Sequence, residues 1–158
     1  MDISIRYQLR TIAQTTLRVG AGLMFFVHGA QKLFGWFGGM PGAAGAAPLV
    51  SELGVGGAIE VIGSILLIIG LFARPAAFIM AGEMAVAFVR VHILGHHDAR
   101  WWVNGGELAA LYSLIWLYYA FAGAGPLSLD ARRRPLHERV PVRKRDVIVR
   151  SGTASLYR

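Results

Sequence analysis

Seven ionisable residues lie within or at the ends of strongly apolar stretches: His28, Lys32, Glu60, Glu83, Arg90, His92 and Glu107. Their types matter. Carboxylates and imidazoles can pass protons and hydrogen-bond to a polar ring, and cations can balance the carboxylates. A charge at bilayer depth costs at least about 2.5–3.5 kcal/mol, so each needs a partner or a polar cavity. The expected arrangement is one polar pocket walled by apolar helices. A quinone headgroup suits such a pocket, because quinone chemistry couples electron and proton transfer. Haem b held between His28 and His92 is an alternative ligand with no haem motif beside it. His92, His96 and His97 next to Asp98 lack a thiolate, and two of them fall in a polar loop, so no metal site is expected. The rival reading of the same charges is a structural ion-pair network that sets helix register.

Spacing supports one pocket. His28 and Lys32 are four apart, hence on one face of a helix, and Glu83 and Arg90 are seven apart on one stripe. Gly56, Glu60, Gly63 and Gly70 share a stripe on another helix, as do Gly22 and Gly29. Small residues at such spacing let helices approach closely where lipid supplies no hydrophobic drive.

The elements that carry these residues follow from composition. The chain has 158 residues, 55% hydrophobic, with mean hydropathy +0.51. That points to a small multi-pass membrane protein, an all-α antiparallel bundle of four transmembrane helices. The absence of cysteine excludes disulfide and thiolate chemistry in this chain. The first helix is expected from about Thr16 to Phe37, with Arg18 snorkelling to the headgroups. A loop rich in Gly and Pro follows, from Gly38 to Pro48. The second helix runs from about Gly54 to Phe72 and ends before Arg74-Pro75. The third reaches about Leu94. The polar run to Arg100 leads to Trp101 and Trp102, placed as an interfacial belt. A fourth helix runs to about Ala124, with Tyr112, Trp116, Tyr118 and Tyr119 for interface anchoring or bundle contact. The division is a short N-terminal segment (1–15), a transmembrane domain (16–125) and a basic tail (126–158).

Charge sets the expected orientation. The formal net charge is +7, and the tail holds nine of the sixteen Lys and Arg residues. With Arg6, Arg10 and Arg74 they fall on one side of a four-pass chain, so both termini are expected in the cytoplasm. The seven ionisable groups then gather towards the extracytoplasmic side. The basic tail suits anionic lipid, and no fold for nucleic-acid binding accompanies it. No nucleotide loop, G-x-S-x-G or H-E-x-x-H occurs, so a subunit, a homo-oligomer or a scaffold that docks a partner enzyme is expected rather than a self-sufficient enzyme.

The chain resembles the DoxX family in several short runs. They are Arg18-Val19-Gly20, His28-Gly29-Ala30-Gln31-Lys32, the Glu60 to Gly70 segment, Arg74-Pro75-Ala76-Ala77, Gly82-Glu83, Asn104-Gly105-Gly106-Glu107 and Gly125-Pro126-Leu127-Ser128-Leu129-Asp130. The resemblance spans about Thr16 to Asp130. It implies a four-helix protein of the bacterial inner membrane and kinship with subunits of a thiosulfate:quinone oxidoreductase. It transfers no catalytic residue.

Overall fold

The structure, a computed structural model, describes residues 2–40 and 45–133. The described residues are helical, with no strand. Helix α1 spans Ile3–Phe34, α2 Glu52–Ile69, α3 Ala73–Ala87 and α4 Glu107–Ala122. A short α5, Leu129–Arg133, closes the described chain. α3 continues without a break into a π-helical turn, Phe88–Leu94.

Local signals explain most boundaries. Ser51 caps α2, its hydroxyl accepting from the Gly54 N–H at 3.1 Å. Gly35 and Gly70 end α1 and α2 in the left-handed conformation that a Cβ disfavours. The start of α1 differs from the sequence expectation. The helix begins at Ile3, thirteen residues before Thr16, with the Asp2 side chain accepting from the Ser4 N–H. Polarity in residues 3–15 marks where apolar surroundings would end, not where a helix must. That segment contains no Gly or Pro to stop helix propagation.

Among the described residues two helices are long and apolar enough to cross a membrane, Glu52–Ile69 and Ala73–Leu94, and α4 is a shorter apolar helix. Their contacts show how neighbours run. Gly22 meets Ile68 and Gly29 meets Gly57 and Glu60, so α1 and α2 are antiparallel. A methyl group at Gly29 would lie 2.8 Å from Glu60 Cβ and from the Val61 backbone nitrogen. The two backbones therefore touch, and any side chain there would separate them. α3 and α4 also run antiparallel: Ser113 Oγ donates to the Ala81 carbonyl at 3.0 Å, and Gly106 packs on Phe88.

The core is shared by all four long helices. Phe25, Leu67, Met80, Trp116 and Tyr119 are essentially inaccessible. Phe25 packs on Tyr112 and Trp116 with ring centroids 4.8 and 5.4 Å apart. Tyr112, Trp116 and Tyr119 thus serve bundle contact rather than interface anchoring, while Tyr118, Trp101 and Trp102 stay exposed.

Candidate functional site

One face of the molecule opens into a cleft of about 880 Å³ between α1, α2, α3 and α4. Six of the seven expected residues line it: His28, Lys32, Glu60, Glu83, Arg90 and His92. Glu107 does not. It is exposed in the first turn of α4, where a carboxylate favours the helix N-terminus.

The most buried polar residue lining the cleft is Glu60, 1% exposed. Lys32 Nζ lies 2.5 Å from its Oε1. Lys32 reaches it from α1 because α1 and α2 touch one turn away, at Gly29 and Gly57. The second Glu60 oxygen, Oε2, is buried without a hydrogen-bond partner. Glu83, opposite on α3, is in the same condition at its own Oε2. Its other oxygen lies over Gly56, where a methyl group would be 3.2 Å from Oε1. The glycine thus makes room for the carboxyl group. Two buried carboxyl oxygens without partners in one cleft are unusual, since such groups normally cost about 1–3 kcal/mol each.

The π-helical turn supplies the rim. Seven residues in this wider winding carry Arg90 and His92. Such segments recur at functional sites. His92 Nδ1 donates to the Asn104 carbonyl at 3.1 Å, which leaves Nε2 bare in the neutral ring. The Asn104-Gly105-Gly106 turn is held in place for this. Asn104 Nδ2 donates to the Asp98 carbonyl at 2.8 Å, and the Gly106 N–H donates to Asn104 Oδ1 at 2.8 Å. Below it, the Arg100 guanidinium holds the Asp98 carboxyl down at about 2. Arg90 pairs with Glu52 at 2.8 Å, both well exposed, rather than with Glu60 or Glu83. His92 and His96 stack with ring centroids 6.2 Å apart.

Two cleft residues lacked a clear signal in the sequence. Tyr112 reads as one aromatic among several on α4, yet its ring meets Phe25 and lies edge-on to His28 at 6.1 Å. Glu52 lies two residues before the expected start of the second helix, yet it opens α2 and takes Arg90.

The opposite end of the molecule is built differently. Arg18 is 2% exposed and does not snorkel. It donates to the Leu67 carbonyl, to Ile68 O at 2.8 Å and to Leu127 O at 2.7 Å. Carbonyls in the last turn of a helix lack i+4 donors, and a guanidinium there complements the helix dipole. The segment after α4, read from composition as the start of the tail, folds back over this end. Asp130 accepts the Phe72 and Ala73 N–H groups, both at 2.9 Å, and so caps α3 from outside. Phe72 holds φ 48°, a strained conformation for a bulky residue, under that cap. The basic residues from 134 onward lie outside the described residues.

A family model described as DoxX matches residues 13–93. An uncharacterised protein of Haemophilus influenzae is 47% identical over 117 residues, which cover 72% of this chain and 85% of that protein. No solved structure matches the chain.

Proposed function

The chain belongs to the DoxX family of membrane proteins, and from that premise we propose that it is a subunit or accessory of a quinone-linked membrane oxidoreductase. In this reading it is a multi-pass protein of the bacterial inner membrane. Its four long helices cross as an antiparallel bundle with both termini cytoplasmic, and the cleft lies towards the extracytoplasmic side. The basic tail beyond Arg133 meets anionic lipid, and a partner polypeptide supplies the electron donor.

One observation carries the reading: Glu60 and Glu83 each leave a buried carboxyl oxygen without a partner in a cleft walled by apolar and aromatic side chains. The cleft volume falls in the range of small-molecule sites, about 300–1,000 Å³. Phe25, Phe78 and Tyr112 contribute aromatic surface to the lining, and the opening leaves a path for an isoprenoid tail.

The test is native mass spectrometry of the protein solubilised gently from its own membranes. A stoichiometric adduct with the mass of a quinone, lost in Glu60→Gln, is the expected result. A co-purifying polypeptide with no small adduct would replace this reading with that of a docking scaffold. The Lys32–Glu60 pair would then be a register-setting ion pair.

A further inference from the structure

The buried side-chain atoms of the cleft that lack a partner are both carboxyl oxygens. Glu60 Oε2 and Glu83 Oε2 are bare acceptors, and His92 Nε2 is a third once Nδ1 has donated to Asn104. On the donor side Lys32 has spent one N–H on Glu60 at 2.5 Å and keeps others. Arg90, well exposed at the rim, spends one nitrogen on Glu52, and His28 and Tyr112 also line the cleft. A ring carbonyl can only accept, so it would use Lys32 and leave both carboxyl oxygens bare. A ring hydroxyl donates and accepts at once. It can accept from Lys32 while donating to a carboxylate, and a second hydroxyl across the ring can reach the other acceptors.

We propose that the cleft selects the hydroxyl-bearing, reduced form of an amphipathic aromatic ring, a quinol, over the matching quinone. This rests on the quinone-site reading above and adds to it which redox form is held and which atoms choose it. Glu60 and Glu83 read the hydroxyl protons, Gly56 keeps Glu83 clear of α2, and the Asn104 turn fixes the His92 ring so that Nε2 stays an acceptor. No electron transfer is assigned to the cleft.

The experiment compares two probes on the full chain in lipid nanodiscs under anaerobic conditions: a decyl-tailed benzoquinol and the same compound oxidised. The quinol should bind about tenfold or more tighter, as expected for a hydrogen bond made to a buried acceptor otherwise left unpaired. Glu83→Gln replaces an acceptor by an amide that can donate, and the preference should fall towards parity. A thermal unfolding midpoint on the same sample separates lost selectivity from lost folding. Equal binding, or tighter binding of the quinone, in the unaltered protein overturns the selection and leaves the quinone site standing. Binding of neither probe removes the site itself. A quinol preference that survives in both Glu83→Gln and Glu60→Gln overturns the assignment to the carboxyl groups.

Discussion

Two ends of this molecule bury charge in an apolar helical bundle, and they do so in opposite ways. At one end Arg18 sends both terminal nitrogens to backbone carbonyls, and Asp130 gives both oxygens to backbone N–H groups. The partners are ends of helices, which must find donors and acceptors whatever the function. At the other end the charged side chains face one another across a cleft, and Glu60 and Glu83 keep oxygens that nothing in the described protein satisfies. A charge spent mainly on the backbone, as Arg18 is through both terminal nitrogens while its Nε stays unpaired, reads as architecture. A charge left with unused capacity beside a cavity reads as a site.

Substitutions can break this contrast. The largest effect is expected at Arg18→Ala, which would remove the donor from the carbonyls of Ile68 and Leu127, while Leu67 keeps the Gly70 N–H. The loss should be about 3 kcal/mol or more, measured as a large fall in the unfolding midpoint in detergent or nanodiscs. Arg18→Lys should rescue little, since an ammonium lacks the planar fork that reaches two chain segments. If Arg18→Ala unfolds at the normal temperature, the architectural reading of that end is wrong.

Asp130→Ala comes next. It removes an N-cap supplied from outside α3 and should cost about 1 kcal/mol, with Phe72 relaxing from its left-handed conformation. Hydrogen exchange at Phe72 and Ala73 should rise locally while the core stays protected.

At the cleft the sign should reverse. Glu83→Leu removes a buried carboxyl oxygen that has no partner, so the unfolding midpoint should hold or rise slightly while ligand binding is lost. A marked fall in stability would mean that Glu83 belongs to a structural network, and the two ends would then be alike.

The smallest effect is expected in the loop. The guanidinium of Arg100 forms a two-nitrogen contact with the exposed Asp98 and holds its carboxyl down at about 2. A depressed carboxyl contributes to stability above its unfolded value, near 3.9, and that contribution fades as pH falls through about 2. At neutral pH Asp98→Asn should leave the midpoint unchanged within error, because exposed pairs contribute little. A clear loss would show that the loop holds His92 through Asp98 as well as through Asn104.

Much of this was legible beforehand because helices leave strong periodic signals. The apolar runs, the Gly-Pro breaks and the i, i+4 pair of His28 and Lys32 marked the helices and the faces that matter. The reading failed where a residue's partner lies on another segment. Arg18 looked like a headgroup anchor because it stands near the apolar boundary, and nothing local reveals that the end of α2 lies beside it. Glu107 looked like part of the polar layer by depth alone, yet its position on the circumference of α4 turns it outward. The glycine stripe of α2 also divides: Gly56 and Gly63 meet Glu83 and Met80 on α3, while Gly70 meets Arg18 and Ser128.

The all-helical class, the apolar character, the family and the set of ionisable residues from which a site could be made are all readable along the chain. They follow from composition, from short motifs and from the period of a single helix. Which charges find partners and which keep unpaired atoms depends on how the helices pack. Hydrogen-bond satisfaction depends on which helix end or side chain comes to lie opposite, and helix periodicity fixes a face without fixing its neighbour.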